Sequence, residues 1–369
     1  MNIPTSNQCR VHTIVGEVQS VIATMRNNNR FSSLSTRESP LLKEFKQLRS
    51  QLRPSTDIEQ LDPMVYLKPF LNLIHSEETS VLITGAALTS IDKFLTYGFL
   101  RDTPSAAKAM KKIADTVVHC RFESTSSESD DVVLMKILRV LLSCLTCPAG
   151  GLLSDDSVFE MLSICYRMSR GRLSELLKKT AERTLTEIVH VIFLVNNIHN
   201  KIYFDGEPVK PIDESVVPPP SPIIEDHNPN SHSYQPRSDF VTSRGVRFQR
   251  QEQVSTAVRV GSTSDVKVSP GEFIPKPYGV GCVIKTFKFL VELASPMDEN
   301  IPESLRQISI QLLNTIAETQ PYLIERIPAL LDLLCNDLCK SMLQNLHTEN
   351  LDRLNLTMRL FFNLHISLR

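Results

Sequence analysis

The sequence predicts an all-α protein, an armadillo- or HEAT-like helical solenoid in two blocks separated by a disordered linker. Three observations carry this expectation. Apolar residues recur three and four apart through most of the chain, which is the spacing of a helix face. Strand-like period-two alternation is hard to find in the first block. Nine of the 22 prolines fall between Asp205 and Pro270, so one internal stretch resists regular packing. A compact helical bundle is the rival architecture. No exact short repeat recurs at a fixed period, which irregular helical-hairpin repeats tolerate.

The first block, residues 1–203, reads as helices over Asn7–Asn27, Ser39–Leu52, Pro63–His75, Thr79–Arg101, Ser105–His119, Glu128–Cys147, Asp155–Met168 and Arg172–Asn196. The third and fourth are the clearest. Leu67, Phe70, Leu71 and Ile74 form one stripe, and Ile83, Ala87, Ile91, Phe94 and Leu95 another, with the polar turn Ser76–Thr79 between them. Asp62 before Pro63 supplies a cap followed by proline's fixed φ in the first turn. Ser154 before Asp155 and Asp156 supplies a cap and two acids at the positive helix end. Leu173, Leu176, Leu177, Leu185, Ile188, Val189, Ile192 and Val195 maintain a long apolar face on the last helix.

Residues 204–275, which include Pro218-Pro219-Pro220, are rich in Ser, Asn, Asp and Arg and poor in large apolar side chains. Too little apolar surface is available to offset ordering entropy, so this segment reads as a disordered linker. Helical pattern resumes over residues 276–369, with helices at Gly281–Ala294, Pro302–Thr319, Pro321–Leu346 (breaking near Pro328) and Thr348–Leu368. The last keeps an apolar face at Leu351, Leu354, Met358, Phe361 and Phe362. That face calls for a further neighbour, so the sequence is expected to be a fragment or short product of a longer gene.

Composition argues against several function classes. The net charge of -1 is not that of a generally basic nucleic-acid binder, and basic and aromatic residues do not interleave. No apolar run is long enough to span a bilayer, and Met1–Arg30 lacks the layout of a secretory signal. The eight cysteines are expected to be reduced. Cys144 and Cys147 have redox or zinc spacing, yet Cys335 and Cys339 offer no convincing second pair, so buried thiols are the better reading. His75, His119 and His190 lie in helices without a suitably spaced ligand set. The acids of Glu123–Asp131 compensate a helix end. Lys108, Lys111 and Lys112 read as a solvated face, because their sequence neighbours do not extend the basic cluster. Phosphate-loop, zinc-protease and nucleophile-elbow motifs are not found.

One combination of motifs is specific. It comprises Leu41-Leu42 after Ser39-Pro40, Tyr66-Leu-Lys-Pro-Phe70, Thr84-Gly-Ala-Ala-Leu-Thr-Ser90, Asp92-Lys-Phe-Leu-Thr-Tyr97, Asp131-Val-Val-Leu-Met-Lys-Ile-Leu138 and Arg172-Leu-Ser-Glu-Leu-Leu177. The chain thereby resembles the N-terminal region of the large Golgi-type, brefeldin-A-resistance branch of Arf guanine-nucleotide exchange factors. The first block resembles their dimerisation and cyclophilin-binding (DCB) domain. Arg244-Gly-Val-Arg-Phe248 and Pro277-Tyr-Gly279 resemble the beginning of the HUS domain that follows it. The family's N-Y-D-C-D box is not reached.

The resemblance implies a noncatalytic regulatory, dimerisation and recruitment region acting in vesicle-mediated transport. No motif matches the exchange domain with its catalytic glutamate, so the chain is not expected to catalyse nucleotide exchange, and no cofactor is implied. Partners implied are a second copy of the chain, Arf and Rab small GTPases and, peripherally, Golgi and early secretory membranes from the cytoplasm. Nucleic acid is not among them. The resemblance places Lys93 and Asp131 at the dimer interface, where the family acid is commonly the longer Glu. Without the resemblance, both residues read as ordinary surface charge, and a stand-alone helical-repeat adaptor binding traffic proteins is the alternative.

Overall fold

The computed structural model describes residues 6–29, 39–53, 55–58, 60–100, 105–122, 127–204 and 278–367. They form helices α1 (Ser6–Asn29), α2 (Pro40–Gln51), α3 (Pro63–His75), α4 (Val81–Thr96), α5 (Ala106–Val118), α6 (Ser127–Thr146), α7 (Asp155–Arg170), α8 (Glu175–Phe204), α9 (Val280–Ala294), α10 (Glu303–Thr319), α11 (Pro321–Arg326), α12 (Pro328–Asp332), α13 (Cys339–Asn345) and α14 (Leu351–Ser367). A π-helical segment, Leu333–Leu338, joins α12 to α13. No β-strand occurs among the described residues.

The helices stack in two rows. In one row α1, α4, α6, α8, α10 and α14 pack successively. In the other α2, α3, α5, α7 and α9 do so, followed by the π-helical segment. Hairpins α3–α4, α5–α6, α7–α8 and α9–α10 each bridge the rows. Among the described residues the main contacts join helices close to one another in sequence, which is the nearest-neighbour construction of a solenoid and the architecture the apolar stripes predict. A continuous core runs from Val11 to Leu364. An aromatic ladder anchors its first half. Phe70 meets Phe45 at 4.9 Å and Phe94 at 5.3 Å between ring centroids, edge to face in both cases. Such contacts add about 0.5–1.5 kcal/mol each beyond area burial.

Local signals account for most helix ends. The Asp62 carboxylate accepts from the Met64 amide at 2.9 Å, and Ser154 Oγ accepts from the Ser157 amide at 3.3 Å. Helix α4 is shorter than its periodicity suggests. Gly98, at φ +68°, ends it. The Gly98 amide donates to Leu95 O and the Phe99 amide to Phe94 O, while the Phe94 and Phe99 rings pack at 5.5 Å. This left-handed cap with its apolar clasp requires glycine's freedom at position 98. Helix α14 begins at Leu351, after Asn350 takes the capping place and accepts from the Arg353 amide at 3.1 Å. Pro328 breaks the long C-terminal helix as expected, with Ile327 extended at φ -104°, ψ 100°. Helix α8 runs on to Phe204, beyond the Asn196 that its apolar face indicates.

The expected linker, apart from Phe204, lies outside the described residues, as do Arg244–Phe248. On its far side α9 packs directly on α7 and α8, so the two helical blocks are in contact. Phe289 of α9 stands edge-on to Tyr166 at 5.2 Å and to Phe159 at 6.0 Å, both from α7. At the other end Leu351, Met358, Phe361, Phe362 and Ile366 of α14 remain exposed, largely the face that the sequence marks as needing a neighbour.

Candidate interaction surface

Helices α4 and α6 carry both residues that the resemblance marks. Lys136 Nζ donates to Gly85 O at 3.0 Å, and Ser143 Oγ donates to Asp92 Oδ1 at 2.6 Å. Both contacts span 51 positions, so the two helices run parallel in constant register. In that register Asp131 is level with Ser80, thirteen positions before Lys93. At 1.5 Å per residue the two charges stand about 20 Å apart along the helix pair. They lie at opposite ends of it and do not bond each other within one chain.

Lys93 meets Glu17 of α1 at 2.5 Å, with side chains 41% and 13% exposed. Glu17 also accepts from Ser90 Oγ at 2.8 Å. Glu17 of helix α1 thus holds the Lys93 ammonium group while a large part of the side chain stays accessible. Asp131 is half-buried and makes no ion pair among the described residues. Beneath this face Asp92 is buried and accepts from Arg139 Nε at 2.8 Å as well as from Ser143. Burial lowers the Lys136 pKa below that of an exposed lysine. A β-carbon at position 85 would stand 3.3 Å from Lys136 Nζ, so Gly85 makes room for the ammonium group.

The outward stripe of α4 is Leu82, Ala86, Thr89, Lys93 and Tyr97, spaced as one helix face. Leu82, Tyr97 and, from α6, Val132 are exposed. At the Leu82 end an open cleft of about 390 Å³ is lined by Thr24, Asn27, Asn28, Leu82, Ala86 and Lys136. The face therefore presents a cation and an aromatic at one end and an anion and two aliphatic groups at the other. Sequence reading found Lys93 and Asp131 through the resemblance alone. It missed Glu17, Asp92 and Arg139, which are distant in sequence and carry no local motif.

The remaining candidates take structural roles. Cys144 is buried and Cys147 half-buried, and burial raises the pKa of both thiols. Among the described residues no group of three His, Cys, Asp or Glu is placed to hold a metal ion. His119 Nδ1 lies 2.8 Å from Asp115 O and its Nε2 3.5 Å from Glu160, linking α5 to α7. His75 is exposed and His190 half-buried. Asp130, near the start of α6, is buried. A second cleft, of about 420 Å³, lies between α9 and the π-helical turn and α13, where Lys288, Glu292, Asp337 and Lys340 mix both signs of charge. No described helix is long and apolar enough to cross a membrane.

Comparison with known proteins covers most of the chain. The family model for the dimerisation and cyclophilin-binding domain of Mon2/Sec7/BIG1-like proteins matches residues 11–196. That for the HUS domain of the same proteins matches residues 279–369. The Golgi-specific brefeldin A-resistance guanine nucleotide exchange factor 1 homolog of Caenorhabditis elegans is 28% identical over 97% of this chain and 22% of its own length. The ARF guanine-nucleotide exchange factor GNOM of Arabidopsis thaliana is 30% identical over 92% of this chain and 25% of its own. For ARF guanine-nucleotide exchange factor 2 of Saccharomyces cerevisiae the figures are 26%, 92% and 25%. The chain spans about a quarter of the length of these curated relatives.

Proposed function

The chain belongs to the Mon2/Sec7/BIG1-like family, whose DCB and HUS domains it carries, and from that premise we propose that it is the noncatalytic regulatory, dimerisation and recruitment region of a Golgi Arf guanine-nucleotide exchange factor. Its work in vesicle-mediated transport is to pair two copies and to position exchange machinery peripherally on Golgi and early secretory membranes. Arf and Rab small GTPases are the partner class of this reading.

The observation that carries the self-contact is the parallel register of α4 and α6. A two-fold axis across this face would set Lys93 of each copy against Asp131 of the other, forming two equivalent ion pairs. Isologous dimers are built from such self-complementary patches. Leu82, Val132 and Tyr97 are exposed on the same face and supply apolar surface that a second copy would cover. Each rim ion pair is worth only about 0–1 kcal/mol, so the charges set register while the apolar groups supply much of the affinity.

Light scattering coupled to size exclusion tests this reading. The wild-type chain is expected to elute as a dimer at micromolar concentration, and Lys93→Ala or Asp131→Ala to shift it toward monomer. A wild type that stays monomeric, or variants as dimeric as wild type, would contradict the reading.

A further inference from the structure

The opposite row of the solenoid carries a segregated positive charge. Helices α2, α3 and α5 lie side by side in it. Together they bear Lys43, Lys46, Arg49, Lys68, Lys108, Lys111 and Lys112 against two acids, Glu44 and Asp115. Glu44 is already engaged by Asn72 Nδ2 at 2.9 Å. Lys43, Arg49, Lys68, Lys111 and Lys112 are all exposed and have no ion-pair partner among the described residues. In the other row α1, α4 and α6 balance five basic residues with five acids.

Packing brings these cations to one surface. Phe45 and Phe70 meet edge to face, and the Glu44–Asn72 bond lies beside them, which sets α2 against the outward stripe of α3. That stripe is Val65, Lys68, Asn72 and His75. Arg121, just past α5, bonds Ile74 O through its amide at 3.4 Å and also pairs with Glu77. Those contacts tie the C-terminal ends of α3 and α5 together, so the helices run parallel and Lys68 stands near the level of Lys112. Lys108, Lys111 and Lys112 are exposed, as the solvated-face reading expects, but they do not stand alone on that surface. Their missing companions come from two other helices, which sequence adjacency does not show.

We infer that the outer face of α2, α3 and α5 is a docking surface for an anionic lipid bilayer, presented opposite the α4–α6 self-contact. Lysines spread over three helices on long flexible stems suit diffuse headgroup charge, whereas arginine forks dominate sites that grip single carboxylates. Neither of the two clefts described above lies on this face. Among the described residues, the exposed Tyr and Phe side chains, Tyr97, Tyr322, Phe361 and Phe362, lie elsewhere. Its described residues therefore offer no stacking platform of the kind single-stranded nucleic acid needs. Basic residues near an anionic leaflet contribute about 1 kcal/mol each, falling off within a Debye length.

This inference rests on the peripheral-membrane part of the proposed function. Vesicle flotation with the full 369-residue chain tests it. Wild type is expected to float with vesicles of equal parts phosphatidylserine and phosphatidylcholine at low salt. It should stay at the bottom with phosphatidylcholine alone, and added salt should release it. The triple variant Lys68→Glu, Lys111→Glu, Lys112→Glu should lose binding on the order of a hundredfold. Lys179→Glu, a single reversal of the same kind on exposed surface of α8, should bind as wild type, with circular dichroism confirming that all variants fold. Equal flotation of the triple variant and wild type would overturn the inference. So would retention of wild type on immobilised polyglutamate or DNA without flotation, which would assign the face to an acidic polymer. A chain that floats yet fails to self-associate would overturn the self-contact and leave this face standing.

Discussion

Asp155, in the first turn of α7, accepts a hydrogen bond at 2.8 Å from the backbone amide of Gly279, which precedes α9. One carboxylate thereby serves the amino ends of two helices from the two matched domains, and negative charge is stabilised at both. The Tyr278 amide reinforces the joint by donating to Leu153 O at 2.7 Å, as does Lys285 by pairing with Asp156 at 2.7 Å. Gly281 belongs to the same contact, because a β-carbon there would collide with Oδ2 of Asp155.

Asp155→Ala leaves the Gly279 amide without its acceptor, at an expected cost of about 1–3 kcal/mol. The loss should be local. Hydrogen exchange should quicken in α9 and stay unchanged in α3. Gly281→Val should act the same way by displacing the carboxylate. Uniform loss of protection across both domains would mean that the joint is not a separable contact.

Phe70→Ala removes the central ring of the aromatic ladder and should cost about 3–5 kcal/mol. Phe362→Ala, on an exposed ring of α14, should change stability by no more than about 0.5 kcal/mol. Urea midpoints of the two variants check the contrast.

Alkali should weaken the fold through its buried thiols. Burial pushes the Cys120 and Cys165 thiols from 9.0 up to about 12. Above pH 9 the unfolded chain releases these protons first. Their contribution to stability is therefore complete below pH 9 and is lost as pH rises through about 12. Replacing both residues with Ala should flatten the fall of stability above pH 9. In the native protein, a thiol reagent should modify the exposed Cys9 and Cys335 quickly and the buried Cys120, Cys144, Cys165 and Cys282 only on unfolding.

Helix positions were largely legible because their signals are local. The Asp62–Pro63 and Ser154 starts, the Pro328 break and the uncovered α14 face follow from residues within a few positions of one another. The C-terminal cap of α4 was missed because apolar periodicity runs on through Phe99, and only the positive φ of Gly98 marks the end. Long-range pairings were not legible at all. Glu17 reaches Lys93 across 76 positions, and Asp92 meets Arg139 on another helix, so each depends on inter-helix register. Family motifs pointed to Lys93 and Asp131 but carried no geometry. The basic face was half visible, with three lysines on α5 in plain sight and four more cations supplied only by stacking.

The most direct test of the central claim is a charge exchange across the proposed two-fold axis, read by sedimentation velocity. Lys93→Glu and Asp131→Lys should each sediment as monomers, since each sets like charges against one another. The double variant restores opposite charges in swapped positions and should recover the dimer. Lys93 also pairs with Glu17 within its own chain, so Glu17→Gln in both backgrounds separates loss of that support from loss of the contact between copies. Recovery of the dimer by the double variant is the predicted result. A double variant that remains monomeric while wild type dimerises, or a wild type that never dimerises, would contradict it.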